Sequence, residues 1–198
     1  MPNDHDFIIN KKNNLKKLFD AKAQNKVDKG IINLIDIINS SDRYYTTSSC
    51  EGRIVLLEIP EIGDKRNAKF LGIWHREIDL KEYFEATKKA NKGYIWLIAQ
   101  SPILHVGANT ISSADDLLKI SISCGFKNSG LKSVGKNIIV EICSTERIDS
   151  PVGFNGKIFC EQEHSKLLIE IANNIIEKSS KKLKKLEESL KNNLKSKK

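Results

Sequence analysis

Strand-like and helix-like segments alternate along this chain, and their alternation constrains the fold more than any single motif does. Residues 53–59 (RIVLLEI) and 94–100 (YIWLIAQ) are short, apolar and rich in β-branched and aromatic side chains, as strands are. Residues 79–91, which lie between them, follow the spacing of an amphipathic helix that Asp79 would cap. Interleaving of this kind predicts a mixed α/β (α+β) fold, in which helices pack on a sheet.

The remaining segments follow the same two patterns. We predict further helices over residues 11–25, 27–41 and 112–125, further strands over 69–78, 102–108 and 137–143, and a hairpin at Asn155-Gly156. Asp28 and Ser112 are the predicted N-caps of the second and the fourth helix. The elements group into two blocks of strand, strand, helix and strand, an order consistent with an internal repeat.

The C-terminal region has the pattern of one long helix that begins near Glu161. Its apolar stripe thins towards the C-terminus while lysines accumulate, so we expect its second half to project from the molecule. The predicted domain organisation is therefore a single domain over residues 1–178 and a Lys-rich helical extension over residues 179–198.

The charge of the chain favours an anionic partner. The sequence has 33 Lys and Arg residues against 25 Asp and Glu residues, a formal net charge of +8 at pH 7, and nucleic acid is the first candidate for such a surface. No apolar run approaches the roughly 18 residues that a membrane-spanning helix needs. The N-terminal residues are too acidic and polar for a secretory signal. We therefore expect a cytoplasmic protein without a membrane partner.

Several common kinds of site have no support in the sequence. The cysteines are widely spaced and form no C-x-x-C pair, which argues against a zinc site. There is also no G-x-G, no P-loop and no H-E-x-x-H motif. A Rossmann dinucleotide site and nucleotide hydrolysis are therefore not expected, and we predict no metal.

The run TTSSCEGR directly precedes the first predicted strand. In one interpretation it is a loop whose hydroxyl groups satisfy nearby backbone groups, with Gly52 at a positive φ. In the other it is an anion-binding pocket, in which Ser48, Ser49 and the Gly52 backbone donate hydrogen bonds. Arg53 would then grip a carboxylate or a phosphate. The residues alone leave both interpretations open, but they disfavour Cys50 as a nucleophile, because the sequence fixes no histidine or acid beside it.

Two histidines lie at or near the ends of predicted strands. His105 is flanked by apolar residues that suit a buried strand, while Gly107 and Ala108 clear space beside it. His75 ends another predicted strand in a similar way. A single histidine in a strand is commonly structural, yet two such rings are also candidates for one proton-transferring site.

The loop SCGFKNSG after the fourth predicted helix is also rich in small and hydroxyl-bearing side chains. Gly125 suits a helix C-terminus, and residues 128–130 suit a turn. In a functional interpretation Asn128 and Ser129 line a cleft, and Phe126 stacks on a base. The residues alone do not choose between these interpretations.

The order of these motifs resembles that of the wybutosine-synthesising protein 3 family. YYTTSSCEGRI is followed by a strand that ends in His75, then by ILHV, CGFKNSGL and an IIVEI strand. The segments VDKGIINLIDIIN and SPVGFNGKIFCEQEHSKLLIEIANNIIEK are similar to the family's N-terminal and C-terminal elements, so the resemblance covers about Val27 to Lys178. The family's Asp-x-Ser-x-Lys-Gly element stands here as DAKAQNKVD, with Lys22 in place of its Ser.

The resemblance implies an archaeal-type methyltransferase of phenylalanine tRNA that uses S-adenosylmethionine. Its substrate would be the 4-demethylwyosine-type tricyclic base next to the anticodon, which already bears an aminocarboxypropyl group. The N-4 nitrogen of that base would receive the methyl group. The fold would be the family's own mixed α/β arrangement and not a Rossmann methyltransferase.

We carry this hypothesis onto individual residues. His105 is the first candidate for the catalytic base, and His75 is the second. The candidates for the cofactor pocket are Ser48, Ser49, Gly52, Arg53, Asn128 and Ser129. The alternative functions are a non-catalytic basic RNA-binding module and a thiol enzyme that uses Cys50.

Overall fold

The computed structural model describes residues 4–64 and 66–195. In chain order these residues form α1 (Asp4–Ala23), a 3-10 turn (Lys29–Ile31), α2 (Ile32–Ser40), β1 (Tyr44–Cys50), β2 (Arg53–Ile59), β3 (Lys69–Trp74), α3 (Leu80–Thr87), β4 (Tyr94–Gln100), β5 (Ile103–Ala108), α4 (Ile111–Ser123), β6 (Gly130–Val134), β7 (Ile138–Cys143), β8 (Arg147–Phe154), β9 (Lys157–Ile158) and α5 (Gln162–Lys195). None of the helices in this described part is both long and apolar enough to cross a bilayer.

Contacts divide the chain into two compact units, each with its own antiparallel sheet and its own core. The first unit comprises the residues up to 51, residues 102–145 and the residues from 179 onwards. The second unit comprises residues 52–101 and 146–178. The mixed α/β class predicted from the sequence is confirmed, with two sheets in place of the single sheet that was expected.

The first unit is built on a four-stranded sheet in the order β1-β5-β7-β6. One face of this sheet carries the core, where Leu104, Val106 and Val140 are fully buried together with residues of α2 and α4. Each such side chain contributes ~1.5–3 kcal/mol of burial free energy. Because side chains alternate along a strand, the residues between them point to the opposite face, which is free to carry polar groups.

The run that was predicted as a loop before the first strand is itself a strand, β1. Tyr44 and Tyr45 at its start are buried, and the Tyr44 hydroxyl donates to the carbonyl oxygen of Ser113. Thr46 is held by Asn39, whose amide donates to the threonine hydroxyl and whose side-chain oxygen accepts from the Thr46 N–H. The hydroxyl-rich sequence concealed this strand, because partners distant in sequence supply the contacts that stabilise it.

The second unit has a five-stranded sheet in the order β3-β2-β4-β8-β9. Ile54, Leu56 and Leu97 are fully buried on its inner face, in a core shared with α3 and the first part of α5. The predicted hairpin at Asn155-Gly156 is confirmed, since these residues join β8 to β9 with φ angles of 49° and 75°. Positive φ at both central positions is what a type I′ turn requires.

The long C-terminal helix, α5, contributes to both cores. Its first part buries Leu168, Ala172 and neighbouring apolar residues in the second unit. Its second part buries three leucines of one helix face in the first unit: Leu183, Leu186 and Leu190. The expectation that this second part projects is therefore wrong as far as residue 195, and residues 196–198 lie outside the described part. The single domain over residues 1–178 stays a prediction.

The caps of α3 and α4 differ in how well the sequence predicted them. Asp79 caps α3 as predicted: its carboxylate accepts the Glu82 N–H at 2.7 Å, and the Glu82 carboxylate accepts the Asp79 N–H at 3.2 Å. This reciprocal pair is a capping box. The prediction of Ser112 as the cap of α4 was wrong, because Thr110 accepts the Ser113 N–H at 3.0 Å.

Candidate functional site

A row of hydrogen-bonded polar side chains crosses the first unit's sheet on the face opposite to the core. Ser48 on β1, His105 on β5 and Glu141 on β7 are direct neighbours in the strand register. The Ser48 hydroxyl oxygen lies 2.8 Å from Nδ1 of His105, and Nε2 of the same ring lies 2.7 Å from Oε2 of Glu141. The structure therefore brings two of the predicted site residues, Ser48 and His105, together in one row.

The charges along this row decide where its protons lie. Hydrogen bonds from His105 and from Lys132 hold the pKa of the Glu141 carboxyl below its ordinary value, so Glu141 is ionised at neutral pH. An ionised carboxylate only accepts hydrogen bonds, so Nε2 of His105 carries a proton. In the neutral ring Nδ1 then carries the lone pair and accepts the proton of the Ser48 hydroxyl. The row can therefore take up a proton at Nδ1 and stabilise the resulting imidazolium beside Glu141.

Two irregularities in strand pairing lie beside this row. The pairing of β1 with β5 shifts between Thr46 and Ser48, and the pairing of β6 with β7 shifts between Leu131 and Ser133. The second shift is at Lys132, whose ammonium nitrogen lies 3.1 Å from Oε2 of Glu141. Because a bulge re-aims side chains while the sheet continues, it can set the direction of the groups at a site. The row thus has a hydroxyl at one end and an ammonium group at the other.

The space that Gly107 leaves beside His105 holds a core residue. A Cβ atom on Gly107 would lie only 2.3 Å from the ring of Tyr45. Tyr45 is itself buried, and its ring centroid lies 5.3 Å from that of Phe7. The sequence interpretation, in which Gly107 opens a pocket beside the histidine, was therefore wrong: the glycine makes room for an aromatic ring of β1.

Asn128 and Ser129 lie between α4 and β6, where their polar atoms serve the loop. The Ser129 hydroxyl donates to the carbonyl oxygen of Phe126 at 2.7 Å and accepts the Cys143 N–H at 3.2 Å. The Asn128 N–H donates to the Cys143 carbonyl oxygen at 3.2 Å. Phe126 is fully buried, so it packs in the core and does not stack on a base. Cofactor binding by Asn128 and Ser129 stays a prediction.

The end of the TTSSCEGR run is fixed through its backbone. Asp28 occupies the predicted N-cap position, at the start of the 3-10 turn, but its side chain makes no capping bond there, and its carboxylate accepts the N–H of Glu51 at 3.0 Å. Gly52 has a φ of 93°, which confirms the predicted positive φ. Ser49 and Cys50 are half-buried, and cofactor binding by Ser49 stays a prediction.

In the second unit, Gly52 and His75 meet at one end of the sheet. Nδ1 of His75 lies 3.0 Å from the carbonyl oxygen of Gly52. Since a carbonyl oxygen only accepts, Nδ1 carries the proton, and the lone pair of the neutral ring is at Nε2. His75 is thus an oriented ring that can accept a proton at Nε2.

A groove of about 540 Å³ runs along the face of the second unit's sheet opposite to its core. A polar row crosses one end of it, where Arg53, Gln100 and Arg147 are neighbours in the register of β2, β4 and β8. Beyond this row the lining is apolar and aromatic: Val55, Leu57, Ile59, Phe70, Trp96 and Ile98. The loop between β2 and β3 contributes a wall that includes Asp64.

Two buried donor atoms of this groove have no hydrogen-bond partner within the described part of the chain: Nε of Arg53 and Nε1 of Trp96. The Arg53 guanidinium lies 6.0 Å from the ring centroid of Phe70, which orients it by a cation–π contact. An unsatisfied buried donor costs ~1–3 kcal/mol, which a ligand with acceptor atoms would recover. The groove therefore suits a flat ligand that carries an anionic group.

Three further residues, Glu141, Lys132 and Trp96, were not predicted from the sequence to be part of a site. The signal for Glu141 was a lone acid within the apolar strand segment IIVEIC, since acids are seldom buried and this position must face away from the core. Trp96 alternates with Ile95 and Leu97 in the same manner. Only the pairing of the strands shows which side chains these residues meet.

Comparison with known proteins gives a consistent family assignment. The family described as Methyltransferase TYW3 matches residues 9–192. A relative from Pyrococcus horikoshii is 49% identical over 181 residues, 91% of this chain and 92% of its own length, and is named tRNA(Phe) 7-((3-amino-3-carboxypropyl)-4-demethylwyosine(37)-N(4))-methyltransferase 1. A relative from Methanocaldococcus jannaschii, named as the same methyltransferase, is 38% identical over 87% of this chain and 91% of its own length.

Solved structures agree with this assignment. A protein of Pyrococcus horikoshii superposes with a TM-score of 0.91 at 47% identity, over 94% of this chain and 97% of the other. A hypothetical protein from Aeropyrum pernix superposes with a TM-score of 0.71 at 26% identity, over 83% of this chain and 98% of the other. The fold is therefore the one that these archaeal proteins share and not the Rossmann fold of other methyltransferases.

Proposed function

This chain belongs to the TYW3 methyltransferase family, and from that premise we propose that it methylates phenylalanine tRNA. The acceptor is the N-4 nitrogen of the 7-(3-amino-3-carboxypropyl)-4-demethylwyosine base at position 37, the substrate named for its relatives. The structural observation that carries the chemistry is the row of Ser48, His105 and Glu141, which offers an oriented proton acceptor. The reaction would take place in the cytoplasm.

The methyl donor we infer is S-adenosylmethionine. When bound, it would supply an electrophilic methyl group. Arg53 fits a carboxylate, a group that the methyl donor and the side chain of the base both carry, because its guanidinium has a buried Nε without a partner among the described residues. Hydroxyl groups and free backbone N–H groups suit the rest of an amino-acid head group. We propose Ser48, Ser49, Gly52, Asn128 and Ser129 as donor-binding residues. Arg53 was predicted with them from the sequence, and the carboxylate of the base's own side chain is the alternative ligand for it.

His105 is the proposed proton acceptor. N-4 would lose its proton as it takes the methyl group, whose bond to the donor's sulfur would break with the electron pair left on the sulfur, and a base near N-4 would lower the barrier to that proton loss. Nδ1 of His105 accepts this proton through the Ser48 hydroxyl, and the Glu141 carboxylate stabilises the imidazolium. General-base catalysis of this kind contributes about 10²- to 10⁴-fold in rate.

His75 is the second candidate for this role. Its Nδ1–H is committed to the Gly52 carbonyl, so the lone pair of the neutral ring is at Nε2. The two candidates make different predictions for paired variants. If His105 is the base, His105→Gln and Glu141→Gln should each lower kcat. In a protein that carries His75→Gln, Glu141→Gln should then still lower kcat.

The positive charge of the chain, +8 at pH 7, would hold the RNA through its phosphates. Such binding releases condensed counterions, so the logarithm of the binding constant falls with that of the salt concentration by about 0.7–0.9 per phosphate contacted. A tRNA affinity that does not change between low and high salt would count against tRNA as the substrate.

The experiment that tests the function uses phenylalanine tRNA whose base at position 37 lacks only the final methyl group. It is incubated with labelled S-adenosylmethionine and the protein, and its nucleosides are then separated by mass spectrometry. We expect one methyl group to be gained on that base, and none on a tRNA that is already methylated there. A non-catalytic RNA-binding module would retain the tRNA and transfer nothing, which would refute the proposal.

A further inference from the structure

We propose that the groove on the second unit's sheet receives the modified base itself, and that Arg53 selects it by binding the carboxylate of its aminocarboxypropyl side chain. The identity of the RNA rests on the proposed function. The assignment of the groove to the base, and of Arg53 to this particular carboxylate, rests on the groove's own chemistry. With this assignment, Arg53 is the residue that distinguishes the complete substrate from a precursor that lacks the aminocarboxypropyl side chain.

The lining of the groove is aromatic and apolar. Leu57 and Trp96 are neighbours in the register of β2 and β4, as are Val55 and Ile98, so two adjacent apolar rows form one continuous floor. Phe70 flanks this floor on β3 and is 51% exposed. Sheet faces with exposed aromatic rings bind unstacked RNA bases, because every base offers a π face at ~1–3 kcal/mol per stacking contact.

The positively charged side chains of the groove cluster at one end of this floor. The polar row of Arg53, Gln100 and Arg147 lies at one end of the floor. Along β2 and β4 it is the next residue pair on this face after Val55 and Ile98. A flat base lying on the floor would extend a side chain of a few carbon atoms towards this row. The groove also contains carboxylates, Asp64 and Asp149, which suit the ammonium group of the same side chain.

The unpartnered donors distinguish a base from a purely apolar ligand. Nε of Arg53 and Nε1 of Trp96 are buried in the groove without acceptors among the described residues. A modified purine with a carboxylate side chain supplies acceptors on both its ring edge and its side chain. Arg147 already pairs with Asp149 on its own strand, which leaves Arg53 as the guanidinium with an unused donor.

The accessibility of the groove favours a base over the methyl donor. It lies along a sheet face, and its margin includes the half-exposed ring of Phe70. A base that stays attached to the RNA backbone enters such a site from the open face without threading. Small-molecule sites commonly bury 70–90% or more of their ligand, which an open sheet face achieves less well.

The test compares two anticodon stem-loop RNAs, one with the complete base and one with the same tricyclic base lacking the aminocarboxypropyl group. With the wild-type protein we expect the KM for the complete substrate to be about tenfold lower, the size of one charge-assisted contact at a partly exposed site. Arg53→Gln should bring the two KM values together by raising that of the complete substrate alone. Arg53→Lys should restore only part of the preference, because an ammonium group cannot form the bidentate contact.

Matched controls separate this effect from loss of charge or of an exposed ring. Lys88→Gln also removes one positive charge from the second unit, at a side chain that is 68% exposed and does not line the groove. It should leave the tenfold preference unchanged. Phe70→Ala should raise the KM for both RNAs, whereas Phe159→Ala, at a ring that is 70% exposed outside the groove lining, should raise neither.

A binding measurement separates failure of this inference from failure of the proposed function. The chain has two tryptophans, Trp74 and Trp96, so the Trp74→Phe variant reports on the groove through Trp96 alone. RNA with the complete base should quench its fluorescence, and RNA with an unmodified guanosine should quench it less. Quenching without methyl transfer would refute the proposed function and support the assignment of the groove to the base.

Two outcomes would overturn the groove assignment even if methyl transfer occurs. In the first, Arg53→Gln raises the KM for S-adenosylmethionine while the preference between the two RNAs persists. That result would show that the groove binds the methyl donor and not the base. In the second, neither RNA quenches Trp96 at concentrations that saturate methyl transfer.

Discussion

The two units are built from similar parts and present opposite chemistry on the sheet faces away from their cores. In each, an antiparallel sheet packs one face against helices. The outer face of the first sheet carries the ionisable row of Ser48, His105 and Glu141. That of the second carries an apolar and aromatic groove closed by Arg53. Because side chains alternate along a strand, the face away from the main core can carry different groups in each unit, although in the first unit part of that face is also packed, where Phe7 of α1 contacts Tyr45.

The pairing of the strands differs between the units as well. The first sheet has its sequence-adjacent strands β6 and β7 at one edge and β1 at the other edge. In the second sheet the central strand is β4, which lies between β2 and β8. The similar order of elements along the chain therefore leads to two topologies. The first unit is suited to moving a proton and the second to holding a flat ligand, and the following predictions test that division.

The largest effect should come from the cores. Leu104 on β5 and Leu97 on β4 are each fully buried, and replacing either by alanine should lower the free energy of unfolding by ~2–5 kcal/mol. Urea denaturation measures the loss, with Val134→Ala as a control at a side chain that is 55% exposed. Hydrogen exchange should show lost protection mainly in the sheet that carries the substitution. If one substitution lowered the hydrogen-exchange protection of both sheets equally, the two cores would not be separate.

The second effect is on catalysis: a substitution in the first unit's polar row should change kcat, whereas one in the second unit's groove should change KM. His105→Gln should lower kcat by about 10²- to 10³-fold, because it removes the proton acceptor. Phe70→Ala should chiefly raise KM, because it removes a stacking surface. Steady-state kinetics with the methyl-deficient tRNA measure both constants. If His105→Gln altered only KM, the row would be a binding feature and the contrast between the two faces would be lost.

The helix caps provide a smaller comparison of the same kind. Asp79 in the second unit takes part in a capping box, whereas Thr110 in the first accepts a single backbone N–H. Loss of a cap costs ~0.5–2 kcal/mol, so we expect about 1 kcal/mol for Thr110→Ala and somewhat more for Asp79→Ala, because the Asp79 carboxylate is charged and also interacts with the helix dipole. Thermal denaturation of the two variants should give the larger fall in Tm for Asp79→Ala. The reverse order would show that the charge of the Asp79 carboxylate adds nothing at this helix N-terminus.

The smallest effect concerns the pH dependence of stability in the first unit. The folded-state pKa of Glu141 is lowered by its hydrogen bonds from His105 and Lys132, so its contribution is present above the unfolded pKa of about 4.3. It is lost as the pH falls through the lower folded pKa. Glu141→Gln should therefore destabilise the protein at pH 7, and its cost should shrink as the pH is lowered below the unfolded pKa. Urea denaturation over that pH range measures this, and a cost that does not change with pH would mean that the charge of Glu141 does not matter.

Local patterns predicted a large part of the fold. The capped helix at Asp79 and the hairpin at Asn155-Gly156 were predicted because the residues that form them are only a few positions apart. The same holds for the positive φ of Gly52. Strand β1 was missed, since its stability comes from pairing with β5, about sixty residues away in the chain.

The candidate site was predicted only in its parts. Ser48, His105 and Arg53 were found by residue type and by their place at strand ends. The partner of His105, Glu141, lies 36 residues further along the chain, and nothing local connects the two. Gly107 was misjudged for the same reason, because the ring that occupies its space belongs to Tyr45 on another strand.

The sequence by itself determined the class of fold, the main helix and turn signals, the family and most of the residues with reactive side chains. These depend on periodicity, on backbone preferences and on motifs, all of which act over short distances in the chain. The tertiary structure alone decided that the helix from residue 162 onwards contributes to both cores, that three strands align Ser48, His105 and Glu141, and that Arg53 lies in an aromatic groove. Register and burial are collective properties of paired strands, so they exist only once the sheet has formed.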